Sequence, residues 1–263
     1  MGDKMKKRQI LICSLLVILS AVFVSGCGDE KKHKIGIIGA MDVEVDSLKE
    51  AADVTKTTTI AGMEFCEGKI GDKYVVIVKC GMGKVNAGVC ANTLIHHFQC
   101  EGIINSGVAG SLDNRINIGD IVVSVEAVQH DFDVTPIGFK KGEIPYTEKI
   151  AFEADETMRK IAVDSIRKSA PEIDVFEGRV CSGDQFISSK EQKDRIISEF
   201  GGLCCEMEGG AIAQVCYLNH TPFVIIRAIS DKADESEAVD FKEFEAATAT
   251  RCAKIVQDML ESL

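Results

Sequence analysis

Short apolar runs rich in Val and Ile alternate along this chain with segments whose apolar residues recur at three- and four-residue steps, and that alternation constrains the fold most. Brief runs that are apolar throughout, bounded by Gly, read as strands covered on both faces, which is the condition of a largely parallel sheet. The predicted strands are Lys34–Ile38, Tyr74–Val78, Gly102–Asn105, Ile121–Val125, Val175–Cys181 and Phe223–Ile229. The predicted helices are Glu44–Ala51, Lys84–Phe98, Glu153–Lys168, Glu191–Phe200, Glu208–Leu218 and Phe241–Leu260. Strands and helices in this order imply an α/β architecture. No internal repeat or low-complexity linker divides the 263 residues, so one domain is the default. In open α/β sheets ligands sit beyond the carboxyl ends of the strands, which directs attention to the residues that follow each run.

The amino terminus reads as an address. Lys4, Lys6, Lys7 and Arg8 precede the apolar run Ile10–Val24, which suits a signal sequence better than a spanning helix. Val24-Ser25-Gly26-Cys27 then resembles the bacterial lipobox, in which the Cys becomes the lipid-bearing first residue of the mature protein. The expected organisation is a lipoprotein signal peptide at 1–26, lipidated Cys27 and a short tether at 27–33, and a globular body at 34–263. The rival reading is an uncleaved anchor helix. Two acyl chains suffice for stable attachment, so the expected location is the extracytoplasmic face of the cell membrane.

The formal net charge is −11, and setting aside the net +3 of the first eight residues leaves about −14 on the remainder. Such a surface repels nucleic acid and anionic lipid, which favours a small-molecule partner. Beyond Cys13 and Cys27 the body holds Cys66, Cys80, Cys90, Cys100, Cys181, Cys204, Cys205, Cys216 and Cys252. An odd number without a CxxC pair argues against a disulfide framework and a zinc site, and these residues are expected to be small buried hydrophobes. His130-Asp131-Phe132-Asp133 is read as a surface turn rather than a metal site, because no second ligand cluster accompanies it.

Four strand ends carry the chemistry. Gly39-Ala-Met-Asp-Val-Glu44 places carboxylates at a helix start, where Asp42 and Glu44 equally suit the helix dipole. Asn105-Ser-Gly-Val-Ala-Gly-Ser111 is read as a Gly-rich turn that lets a ligand approach the backbone. Neither it nor Gly81-Met-Gly-Lys84 has the spacing of a phosphate loop. Glu206-Met-Glu208 puts two acids on one face if the segment is a strand, as ribose hydroxyls would require; a helix cap is the alternative. Phe223-Val-Ile-Ile-Arg-Ala-Ile-Ser-Asp231 buries an Arg, which must be paired, and ends in an acid at the strand mouth. A purely structural ion pair would fit these residues as well.

Together, Lys34-Ile-Gly-Ile-Ile-Gly-Ala-Met-Asp-Val-Glu44, Gly81-Met-Gly-Lys-Val85, Ser182-Gly-Asp-Gln-Phe-Ile187, Glu206-Met-Glu208 and Arg227-Ala-Ile-Ser-Asp231 resemble the 5′-methylthioadenosine/S-adenosylhomocysteine nucleosidases. The resemblance runs from about residue 34 to the end. It implies the three-layer nucleoside phosphorylase-like fold, a central mixed sheet flanked by helices, with a homodimer and neither metal nor organic cofactor. By the same resemblance Asp231 protonates adenine N7 and Glu44 prepares the attacking water. Glu208 binds the ribose hydroxyls beside Glu206, Met207 packs under the sugar, Phe186 stacks on adenine, and the Ile187 backbone reads its edge. Arg227 and Ser230 hold Asp231. Val108, Ala109 and Gly110 line the site, while Met41, Met82 and Phe241 line the sugar and thioether pocket. Ile137 and Pro145 reach across the dimer. Val108 stands where some members carry Ser, and a lipobox is rare in this mostly cytosolic family.

Cleavage of a glycosidic bond by an acid at the leaving group and a base at water is the expected chemistry. The acid must carry its proton near neutral pH, which burial favours. A phosphorylase on the same fold would need cationic side chains for phosphate, and the turn after the first strand offers none. A futalosine-type nucleosidase shares the site chemistry. A non-catalytic nucleoside-binding lipoprotein would have no use for Glu44 and Asp231 together.

Overall fold

The runs predicted as strands all pair, and they do so in one ten-stranded mixed sheet. The computed structural model describes residues 33–234 and 237–263, without the side chains of 237–243 and 245. The signal peptide, Cys27 and most of the tether therefore lie outside the described residues, as does the side chain of Phe241. His33–Leu263 packs as one unit.

The strands are β1 (Lys34–Gly39), β2 (Lys56–Ile60), β3 (Met63–Ile70), β4 (Lys73–Lys79), β5 (Cys100–Ser111), β6 (Ile121–Gln129), β7 (Ala151–Glu153), β8 (Val175–Ser182), β9 (Cys204–Glu206) and β10 (Phe223–Asp231). The helices are α1 (Asp42–Ala51), α2 (Lys84–His96), α3 (Glu156–Ser169), α4 (Lys190–Phe200), α5 (Gly209–Leu218) and α6 (Glu237–Leu260). β5 and β10 run parallel, β10 turns antiparallel onto β6, and β6, β8 and β9 follow in parallel before β9 returns antiparallel to β5. These five strands close a circuit. From β5 a wing extends through β1 and β4, both parallel, and ends in the antiparallel hairpin of β3 and β2.

Two layers of helix cover the sheet. Ala87, Cys90, Ala91 and Leu94 of α2 join Ile212, Ala213 and Cys216 of α5 in one buried cluster against Ile38, Val76 and Ile103. On the other face α1, α3 and α6 contribute Val45, Leu48, Ala162, Ile166, Ala253 and Val256, packed on Ile37, Ile77, Ile104 and Val224. Alternate residues of β1, β4 and β5 thus face opposite layers, which is why their sequences are apolar throughout. All nine body cysteines are unpaired and buried, in keeping with their reading as small hydrophobes.

Two expectations read from the residues need correction. The sheet is the central mixed one that the resemblance implies, not the largely parallel one that the apolar runs suggest, because the β2–β3 hairpin, β7 and β9 add antiparallel pairs. The hairpin turns on Ala61 and Gly62, both at positive φ (52° and 78°), and an Ala in that conformation carries none of the Asn-Gly signal that marks such turns. Asn105–Ser111 is no turn. It is the second half of β5, with Asn105 to Gly110 registered against Ile225 to Asp231 of β10, so its glycines serve strand contacts.

Candidate active site

The carboxyl ends of β1, β5, β9 and β10 meet the amino ends of α1 and α5 around a cleft. Its lining takes Met41 and Glu44 from the start of α1, Val108 to Gly110 from β5, Glu206 to Glu208 from β9 and the cap of α5, and Ser230 with Asp231 from β10. Met82, Phe186 and Ile187 complete the wall from two loops. Glu44 and Asp231, remote in sequence, open onto the same cavity.

Glu44 is 1% exposed, yet its carboxylate is satisfied by backbone alone. Ala40 N–H and Met41 N–H donate to Oε2 at 2.6 and 3.0 Å, and Val108 N–H donates to Oε1 at 3.0 Å. Burial raises its pKa above the usual glutamate value, outweighing Arg227 and these three amides. A carboxylate so placed is a fixed acceptor with increased basicity, suited to taking a proton from water.

Arg227 lies beneath the cavity, 1% exposed, at the centre of the acids. Its guanidinium pairs with Glu206, donates to Asn105 Oδ1 at 2.5 Å and stands 3.7 Å from Glu208 Oε2. Glu206 is tied further by Ser182 Oγ–H and by the amides of Glu208 and Gly209 at 3.1 and 2.7 Å. Gly107 makes this cluster possible: a Cβ there would stand 2.1 Å from Arg227 Nη1 and 2.5 Å from Glu44 Oε1. The bare backbone of β5 is thus the slot in which base and cation face each other. Burial and the neighbouring Glu206 push Glu208 up to about 7, and Gly83 N–H donates to its Oε1 at 2.8 Å.

Asp231, 3% exposed, accepts from Ser230 Oγ–H at 2.9 Å and from Ala233 N–H at 2.9 Å. A hydroxyl donates or accepts, so Ser230 can hold either protonation state of the acid. Arg227, four strand residues away, directs its own hydrogen bonds and ion pairs to Glu206, Glu208 and Asn105.

The other wall is soft. Met82 is 62% exposed and Phe186 50%, whereas Ile187 is buried against Cys205 and Ala233. Ile137 is exposed and Pro145 half-buried, and neither lines the cleft within this chain. Glu206 and Glu208 share no strand face, since β9 ends at Glu206 and Glu208 caps α5. His130-Asp131 is a turn, as expected, but not at the surface: His130 is buried and Asp131 pairs with Lys84. Asn105, Ser182, Gln185 and Cys205 belong to the site or its support and were not singled out from sequence. Asn105 left a signal, a lone amide at the end of a Val/Ile run. Among the described residues no group of three His, Cys, Asp or Glu side chains could hold a metal.

Residues 34–261 match the family model of the phosphorylase superfamily. The chain is 40% identical over 231 residues to 5′-methylthioadenosine/S-adenosylhomocysteine nucleosidase of Shewanella sediminis, covering 88% of this chain and all of that one. The crystal structure of the Neisseria meningitidis nucleosidase of the same name, in complex with methylthio-immucillin-A, superposes with a TM-score of 0.84 at 36% identity, over 88% of this chain and 99% of that one. Futalosine hydrolase of Helicobacter pylori is also similar, with a TM-score of 0.83 at 34% identity over 88% and 98% of the two chains. On sequence, fold and the gathering of its motifs around one cleft, the chain belongs to the phosphorylase superfamily and, within it, to the 5′-methylthioadenosine/S-adenosylhomocysteine nucleosidases.

Proposed function

We propose that this protein hydrolyses the N-glycosidic bond of 5′-methylthioadenosine and S-adenosylhomocysteine, releasing adenine and the thioribose. The observation that carries the reading is the convergence of Glu44 and Asp231 on one cavity with an apolar Met and Phe wall. In this mechanism Asp231 gives a proton to adenine N7, so that the bond to C1′ breaks with its electrons leaving on a neutral base. The ribose gains oxocarbenium character, and Glu44 takes a proton from the water that adds to C1′. Glu208 accepts hydrogen bonds from the ribose hydroxyls, Met207 packs under the sugar, and Phe186 stacks on the base whose edge meets the Ile187 backbone. Met41 and Met82 take the thioether end.

Water rather than phosphate is the nucleophile, because the lining carries four carboxylates, Glu44, Glu206, Glu208 and Asp231, and no Lys or Arg side chain among the described residues. Arg227, a cation beneath the floor, is committed to Glu206 and Asn105. The test is adenine release from methylthioadenosine, S-adenosylhomocysteine and futalosine in phosphate-free buffer. Turnover of the two thionucleosides is expected. A phosphate requirement, exclusive cleavage of futalosine, or binding without turnover would each replace the reading.

The working unit in this reading is a homodimer in which Ile137 and Pro145 complete the partner's pocket. Ile137 (72%), Val85 (77%) and Met82 are exposed and so are free to meet a partner. The enzyme is held on the extracytoplasmic face of the membrane through lipidated Cys27. Labelling cells with a palmitate analogue tests the anchor: wild type takes up label, Cys27→Ala does not, and an unlabelled wild type removes the proposal.

A further inference from the structure

Two motifs stand outside the catalytic pair, Gly81-Met-Gly-Lys84 and His130-Asp131, and the structure joins them. Lys84 Nζ donates to Asp131 Oδ1 at 2.5 Å and to Gln129 Oε1 at 3.2 Å. Asp131 Oδ2 accepts from Asp184 N–H at 2.9 Å, and Asp184 Oδ1 accepts from Lys84 N–H at 2.8 Å. The contacts form a closed ring of three residues from three segments: the start of α2, the residues after β6, and the loop after β8. Lys84 and Asp131 are mostly shielded, with side chains 17% and 16% exposed. Burial opposes ionisation of Asp131, yet Lys84 and the Asp184 amide hold its pKa below the ordinary aspartate value.

We propose that Lys84, Asp131 and Asp184 form a positioning ring that fixes the two exposed walls of the pocket, and with them Glu208, for nucleoside binding. The proposal rests on the nucleosidase reading of the cleft. Met82 and Phe186 are too exposed for core packing to set their places, and each lies within two residues of a ring member. Next to Lys84, Gly83 holds φ at +97° and gives its N–H to Glu208; a Cβ on it would crowd Asp184 Oδ1 at 3.1 Å. A side-chain ladder carries the ring to α5, because Gln129 Nε2 donates to Gln214 Oε1 at 2.6 Å and Glu208 is the cap of that helix. The ring therefore acts on substrate through Glu208 and the walls. Glu44 and Asp231 are held elsewhere, by the backbone of β1, α1 and β5 and by the end of β10.

The signature is a split between kinetic constants. In Lys84→Met the KM for methylthioadenosine should rise about tenfold while kcat changes less than about threefold, since uniform binding is lost and the chemical groups stay in place. Asp131→Asn should give the same split, and the double variant should be no worse than either single one. Lys84→Arg should recover most of the loss, because a guanidinium still spans Asp131 and Gln129. Amide exchange without substrate should quicken about tenfold at Lys84 and Asp184 and stay as in wild type through β1 and β10. A wild-type KM in Lys84→Met and Asp131→Asn, a fall confined to kcat, or faster exchange throughout the sheet would overturn the ring. If the wild type cleaves no nucleoside, the nucleosidase reading fails, and exchange at the two ring amides decides the ring by itself.

Discussion

The floor and the rim of the cleft are built on opposite plans. On the floor Glu44, Glu206, Glu208, Arg227 and Asp231 are each less than a tenth exposed; backbone amides, Ser182 and Ser230 hold the acids, and Asn105 takes one arm of Arg227, whose buried Nε has no hydrogen-bond partner among the described residues. At the rim, Met82 and Phe186 are at least half exposed, each within two residues of a member of the partly shielded polar ring. Charge that develops during bond cleavage calls for dipoles that need no rearrangement, and strand ends with helix caps supply them. A thioether tail and a purine face call for adaptable apolar contact, which Met and Phe on loops supply. The floor is therefore where single changes should abolish turnover, and the rim is where they should reshape binding.

The largest effect should come from the floor's proton handling. Asp231→Asn and Glu44→Gln should each lower kcat about 10³-fold, or about 4 kcal/mol, measured by single-turnover adenine release. A variant that keeps kcat within tenfold would remove its residue from the chemistry. Next comes the slot between base and cation. Gly107→Ala forces a methyl into Arg227 and Glu44 and should cost about 3 kcal/mol in denaturant unfolding, along with activity. Wild-type stability in that variant would show that the floor yields after all.

A smaller effect is the floor's response to pH when the pocket is empty. The folded pKa of Glu208, about 7, lies above its ordinary value of 4.5, so the folded state holds the proton more tightly than the unfolded chain. That contribution to stability is fully present below the unfolded pKa and is lost as pH rises through the folded one. Unfolding free energy should accordingly fall by roughly 2 kcal/mol from about pH 5.5 to about pH 7.5, and Glu208→Gln should flatten the slope. Glu44, raised in the same direction, adds to the trend. An equal slope in Glu208→Gln would place the titration elsewhere. The smallest effect belongs to the rim: Phe186→Ala should raise KM about fivefold, about 1 kcal/mol, with kcat nearly intact. A fall in kcat instead would blur the division between the two regions.

Much of this was legible in the chain, and the misses follow a rule. Every predicted strand and helix exists, because periodicity reports which side of an element meets the core, a local property. β2 and β3 escaped notice because Lys56–Ile60 is largely solvent-facing and its turn uses Ala61 at positive φ. The glycines of β5 suggest a turn because nothing near them in sequence shows that Arg227 and Glu44 occupy the side-chain space of Gly107, and Asp231 and Ala233 that of Gly110. Arg227 was identified as a cation in need of a partner, but assigned to the acid nearest in sequence. Its real partners, Glu206, Glu208 and Asn105, arrive through β9 and β5.

By itself the sequence determined the alternation of elements, the burial of the cysteines, and the presence of acids at the ends of β1, β9 and β10. The tertiary structure decided which acid faces which cation, which glycine must stay bare, and that Lys84, Asp131 and Asp184 close a ring. The physical reason is reach. Backbone preference and apolar periodicity act over a few residues, whereas hydrogen-bond partners are chosen by strand register and circuit closure, which are settled only when distant strands compete for the same neighbours.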